Sequence, residues 1–301
     1  MVISKKRRDI ENCELSGQHR RRQDFFLADL FGYALKGDMT SMEVPLFSLS
    51  TKPDLSIWKW ESQDGKRCIT VTPSVLGRAT QHDKDVLIYA ISQLTAGVDR
   101  SFPDVANRAI RFTAYDYLLA TNRGVSGRGY ANLKESLARL RGTTLTTNIS
   151  TGGFQIDEGF GLIDKWRVVA SKECPSRMDA VEVTLSAWLH NAVHAFEVLT
   201  LHRDYFKLRK PLERRLYELA RKHCGRQAMM KIGLDLLRQK AGSRASRKEF
   251  RRMVREIMVA DNLPEYRILL DHEDKVTLYT KDSTRLVRSL SEHASLCVDA
   301  S

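Results

Sequence analysis

Residues 243–255 read SRASRKEFRRMVR, six basic side chains and one acid in thirteen. Their spacing indicates their use. On a helix turning 100° per residue, Phe250, Met253, Val254, Ile257 and Met258 form one apolar stripe. Arg244, Lys248, Arg251, Arg252 and Arg255 fall on a different face, and Glu249 and Glu256 on a third. Such a helix docks on a core through its stripe. It turns outward cations that match phosphate oxygens and the acceptor edge of guanine. The expected DNA-contacting set is Arg244, Ser246, Arg247, Lys248, Arg251, Arg252 and Arg255 on a helix spanning Ser246–Ala260. A second, weaker set lies in the basic turn 122–129 (NRGVSGRG) and the helix Tyr130–Leu140 after it. There Arg123, Arg128, Lys134, Arg139 and Arg141 are candidates for phosphate contacts. A charge run can also be no more than a solvated helix face, so the neighbouring elements decide the matter.

Those elements support docking. Helical segments are expected at Leu212–His223, Gly233–Lys240 and Ser246–Ala260, followed by β-like runs at Tyr266–Leu270 and Lys275–Thr280 around a polar turn. Three helices and a hairpin, with the basic helix third, are the order of a winged helix. The first half reads the same way. A helix is expected at Asp83–Thr95 with Gly97 just past its end, then a short strand at Ile110–Phe112 and a helix capped by Thr113. The helix Tyr130–Leu140 comes next, then β-like runs at 143–150, 154–163, 166–170 and 180–185. Earlier, Ile57–Trp60 and Cys68–Val71 form a hairpin across an Asp-Gly turn. The expected fold class is α+β with tandem winged-helix domains. A basic arm covers 1–24, an N-terminal domain 25–205, a C-terminal domain 206–285 and a tail 286–301. Lys210-Pro211 marks the boundary, because proline restricts the residue before it and opens helices well.

Composition agrees. The 301 residues carry a formal net charge of +12, which points to a polyanionic partner. No apolar run of about 20 residues occurs, so a membrane span is not expected, and the N-terminus MVISKKRRDIENCE lacks the apolar stretch of a secretory signal. Five well-separated cysteines without a CxxC read as free thiols in a reducing compartment.

Catalytic patterns fail on inspection. His190 and His194 have the spacing of a zinc-protease helix, but Asn191 stands where that motif needs its glutamate base. No phosphate-binding G-x-x-x-x-G-K-[ST] loop is present, and Gly124, Gly127 and Gly129 do not fit G-x-G-x-x-G. His-x-His, the metal pair of rolling-circle nickases, does not occur. His223-Cys224-Gly225-Arg226 with Tyr266 downstream matches the short string of tyrosine recombinases and reads equally as a helix end. No catalytic residue, metal or cofactor is therefore expected.

Three stretches carry a family likeness: DMTSMEVPLFSLSTKPD (38–54), ITVTPSVLGRATQHDKDVLIYAISQL (69–94) and SRKEFRRMVREIMVADNLPEY (246–266). With them, most of residues 24–281 resembles the bacterial plasmid replication initiator protein A family. The resemblance implies tandem winged helices on repeated double-stranded sites in a plasmid origin, local melting and recruitment of host replication proteins, all without catalysis. It also implies a homodimer formed through the N-terminal domain, in the bacterial cytoplasm. The rival readings are a winged-helix transcription repressor, a nickase or recombinase, and a basic protein without sequence preference.

Overall fold

The computed structural model describes residues 33–62, 64–99, 108–149, 158–170, 178, 180–225 and 227–298. The arm expected over 1–24 lies outside the described residues. Strand β1 (Leu35–Asp38) leads into helix α1 (Met39–Glu43), where Asp38 accepts the Ser41 amide at 2.7 Å. Strands β2 (Trp58–Glu61) and β3 (Cys68–Thr72) pair across the expected turn, where Gly65 adopts φ 68°. Helix α2 (Lys84–Asp99) follows, with Val86–Ile91 no more than 1% exposed. A helix apolar all round must be enclosed on every side. It runs through Gly97 to Asp99, past the expected stop. One interior glycine costs about 1 kcal/mol, too little to end a helix held by tertiary contacts.

Strand β4 (Ala109–Phe112), helix α3 (Ala114–Ala120) and helix α4 (Gly127–Gly142) come next. Thr113 and Ser126 cap the two helices, accepting the amides of Asp116 at 3.1 Å and Gly129 at 3.3 Å. Four strands follow: β5 (Thr144–Thr147), β6 (Glu158–Gly161), β7 (Ile163–Val169) and β8 (Ala180–Leu185). Only β7 and β8 form the wing, joining β4 in the order β4-β8-β7. Strands β5 and β6 extend the early hairpin into a separate sheet, β2-β3-β5-β6.

Helix α5 (Ala187–His194), strand β9 (Val198–Leu201), which pairs with β1, and a 3-10 turn (Arg203–Lys207) lead to the second domain. Helix α6 (Pro211–His223) opens on proline, with the Glu213 carboxylate accepting the Lys210 amide at 3.1 Å. Then come β10 (Met229–Gly233), α7 (Leu234–Ala241), α8 (Arg247–Ala260), β11 (Tyr266–Leu270) and β12 (Lys275–Thr280). Their sheet order, β10-β12-β11, repeats β4-β8-β7. Both domains are therefore winged helices of one topology: helix, strand, helix, helix, then a two-stranded wing whose last strand lies in the middle. Besides α1 and the 3-10 turn, three larger features were not expected from the sequence. They are the β1–β9 pair, strand β10, and helix α9 (Ser283–Val298), which crosses the expected 285/286 boundary. Arg285 ties α9 down by donating to the carbonyls of Cys224 at 3.2 Å and Gly225 at 2.9 Å.

Two hydrophobic cores form, and α2 serves both. Tyr89, Leu87 and Ile91 pack into the first with Leu133, Leu137 and Val183. Ile88 faces the second, among Leu216, Phe250 and Leu278. Leu35, Met42 and Leu201 of the first domain also lie in that second core. Residues 211–281 alone would leave it open.

A buried charge network closes the same junction. Asp83, Lys84 and Asp85, at the start of α2, are at most 1% exposed. Asp83 accepts two hydrogen bonds from Arg139, each 2.8 Å. Lys84 forms an ion pair with Glu218 of α6 at 2.9 Å. Asp85 receives Arg123 at 2.8 Å and also Arg214 of α6. Glu218 further accepts Gln81 at 2.6 Å and the Tyr205 hydroxyl at 2.7 Å. Arg215 donates to the carbonyls of Ser41, Met42 and Glu43 at 2.9 Å and of Lys240 at 2.6 Å. Removing one partner of such a buried pair strands the other, at about 3–5 kcal/mol. Asp85→Ala strands two guanidiniums, so its unfolding free energy from urea titration should fall by an amount in or above that range. A loss under 1 kcal/mol would mean that the pairs are dispensable.

His82 sits at the edge of this network. Burial, reinforced by the nearby Arg214 and Arg123 cations, holds its imidazole down to about 4. An unfolded histidine titrates near 6.5. Between those values the unfolded chain binds the proton and the folded one does not. The stability due to His82 is therefore whole above pH 6.5 and is lost as pH falls to about 4. Urea titrations at several pH values should give a shallower slope across that window for His82→Gln than for the parent chain.

Candidate nucleic-acid interface

Helix α8 is built as its sequence pattern predicts. Ser246 caps it by accepting the Glu249 amide at 3.2 Å. Phe250, Val254 and Ile257 are buried, each at most 2% exposed. In front of it, α7 ends at Gly242 with φ 71°, and a Cβ there would stand 2.6 Å from Pro45. The turn that aims α8 therefore requires glycine.

The basic face divides into groups that are free and groups that are held. Lys248 and Arg255 are exposed and have no ion-pair partner among the described residues. Arg252 is exposed but bridges Glu249, at 2.6 Å, and Glu256 on its own helix. Arg247 and Arg251 both reach Asp274 in the wing turn, at 3.0 Å each. Asp274 has φ 60° and turns the β11–β12 hairpin. These two arginines therefore brace the wing against the helix. Arg244 points the other way, to Asp54 at 3.2 Å and Ser56 of the first domain, 5.5 Å above the Trp58 ring.

In the first domain, α4 occupies the place that α8 has in the second. Arg128, Lys134 and Arg141 are exposed on it, without ion-pair partners among the described residues. Arg123 and Arg139 differ from expectation. Arg123 lies against Asp85 and donates to the His82 carbonyl at 2.6 Å, while Arg139 is forked onto Asp83. Their charges are neutralised by carboxylates that the core has stripped of water, so they brace the fold rather than project toward a polyanion. Sequence reasoning missed those carboxylates, together with Asp54 and Asp274. The alternating charges of Asp83-Lys84-Asp85, directly ahead of an unbroken apolar run, were the available signal for the first two.

The other motifs resolve plainly. Tyr266 is 2% exposed and packs against Tyr217, with ring centroids 5.7 Å apart, so the recombinase-like string has no presented nucleophile. His190 and His194 approach each other at 3.1 Å, but no group of three or more metal-ligating side chains exists among the described residues. Cys68 and Cys224 are free thiols. Among the described residues, no helix is long and apolar enough to cross a membrane.

Comparison with known proteins agrees with this architecture. A curated relative, described as "Putative replication protein" from Wigglesworthia glossinidia brevipalpis, is 35% identical over 266 residues, covering 88% of this chain and 95% of the relative. A crystal structure of domains 2 and 3 of RctB superposes with a TM-score of 0.58 at 15% identity, over 81% of this chain and 98% of the other. A second structure of the same RctB domains gives 0.54 at 14% identity, over 83% and 99%. At such identities the likeness is one of fold. The model of one family, replication initiator protein A, matches residues 36–268, and with the curated relative it establishes that the chain belongs to the replication initiator protein A family.

Proposed function

We propose that the chain starts replication by binding repeated double-stranded sites in a plasmid origin, with α4 and α8 in successive major grooves. One observation carries this reading: the two domains share one topology, and each offers unpartnered cations on its third helix. Lys248 and Arg255 supply the stronger contacts, and Arg128, Lys134 and Arg141 the weaker ones. Phosphate contacts set affinity and a few base contacts set the choice of sequence. Opening of the origin and recruitment of host helicase machinery follow as protein–protein steps, with no bond chemistry by this chain. Exposed apolar side chains of the first domain suit such partners, or a second copy of the chain. Val75 is 93% exposed, Leu55 63% and Ile57 56%.

The test is selection of duplexes from a randomised pool by the intact protein, then maintenance of a plasmid that carries the selected site and this gene alone. Failure to enrich any sequence would sink the reading. Enrichment without maintenance would favour a repressor.

Two outcomes are expected on the selected duplex. Lys248→Ala and Arg255→Ala should each cost about 1–3 kcal/mol of affinity if the side chain reads a base edge. Arg252→Ala should cost less, because its own carboxylates already hold that guanidinium. Fluorescence anisotropy titrations would rank the three, and equal losses would remove the distinction.

Helical phase gives the other expectation. The buried network fixes the two domains relative to each other, so inserting ~5 bp between half-sites places the second groove on the opposite face of the duplex. Affinity should then drop toward that of a single half-site. Unchanged affinity would mean that only one domain reads DNA.

A further inference from the structure

A trough joins the two candidate recognition helices. Its larger part, about 670 Å³, runs from Ser126 and Arg128 at the start of α4, over the loop 50–53, to Leu208 and Arg209 just before α6. Its smaller part, about 380 Å³, runs from Lys210 past Ser243 and Arg244 to Arg252 and Glu256 on α8. Both parts are lined by Ser50 and Arg78, so they adjoin there.

The charges along this trough do not cancel. Each carboxylate that lines it is already engaged. Asp54 takes Arg78 at 3.1 Å and Arg244 at 3.2 Å. Asp83 and Glu135 both take Arg139, and Glu256 takes Arg252. Lys52, Arg128 and Arg209 are exposed on its walls, and none has an ion-pair partner among the described residues. Beneath them Arg78 is 2% exposed, with Nε and Nη1 donating to nothing among the described residues. What remains uncompensated is a line of positive charge on the walls, above an Arg78 that Asp54 holds by one nitrogen only. Arg128 of this line belongs to α4, whereas Lys52 in the loop 50–53 and Arg209 in the stretch before Pro211 lie outside both recognition helices.

We infer that this trough grips the sugar-phosphate backbone of the DNA between the two half-sites, with Lys52 and Arg209 as its phosphate contacts. The inference rests on the proposed reading, since it needs both helices on one duplex. Helices lying in successive major grooves on one face leave the two strands that border the intervening minor groove to cross the space between them, and the trough runs from one helix to the other. Two cations on a wall that rigid packing holds in place add affinity without regard to sequence. A small anion is the poorer fit, because the trough is open and its free cations are spread along it rather than converging on one point.

The test uses the full chain with Lys52→Gln and Arg209→Gln combined, on the duplex enriched from the randomised pool. Each lost phosphate contact lowers the salt slope by about 0.9, so the double variant's slope should fall by about 2. The ratio of affinities at 50 mM and 200 mM salt should then shrink about tenfold, with base preference unchanged. A duplex with neutral methylphosphonate linkages in the spacer localises the effect. It should weaken the parent protein and leave the double variant unaffected. An unchanged slope, or equal sensitivity of both proteins to the neutral spacer, would overturn the inference while leaving the proposed reading intact. If the parent chain enriches no duplex, the reading falls and the trough's role falls with it. Both side chains are exposed, so an unchanged thermal melt of the variant is the control for folding.

Discussion

The junction between the domains depends on charge held out of water. Asp83, Lys84 and Asp85 sit at the head of a helix enclosed on every side, and each meets an opposite charge brought by another element. A buried ion would be ruinous if unpaired, so the pairing dictates geometry: α6 can lie only where Arg214 reaches Asp85 and Glu218 reaches Lys84. Arg215 extends the constraint to the ends of α1 and α7 through four carbonyls. The relative placement of the two winged helices, and hence of α4 and α8, follows from these contacts more than from the connecting chain at Leu208–Lys210.

How much of this could be read in the sequence varies by element. Helix α8 was legible because its apolar stripe, cap and basic face are all local, and local signals survive without knowledge of the fold. The wing of the second domain was legible for the same reason. In the first domain the strands were visible but their partners were not, since β5 pairs with β3 and β8 with β4 across long stretches of chain. Strand β10 was missed because Met-Met-Lys-Ile-Gly has no alternation to mark it, and its partner β12 lies far ahead. Arg123 and Arg139 show the limit for sites. An arginine on a helix looks the same in sequence whether its carboxylate partner lies in the core or its phosphate partner lies on a ligand.

The duplication of topology is more informative than either domain alone. The two sheets share the order first, third, second, and each third helix carries exposed cations, although the residues differ. The first domain has been enlarged around this plan by β2, β3, β5 and β6, and tied to the second by the β1–β9 pair. This growth reaches α4, since β5 starts just after it and a Cβ at Gly161 of β6 would stand 3.1 Å from the Arg141 carbonyl at its end, whereas α8 has no such addition.

The carboxylates around α8 have a kinetic meaning. Glu249, Glu256, Asp274 and Asp54 occupy the guanidiniums of Arg252, Arg247, Arg251 and Arg244, as phosphates would. Random DNA offers those arginines only another anion, and exchanging one exposed pair for another gains little. On the proposed reading, these four arginines would add less to nonspecific affinity than their number suggests, because contact with a phosphate must first displace a carboxylate already in place. If the chain binds DNA as proposed, such built-in decoys would shorten each stop at the nonspecific sites that vastly outnumber the correct ones.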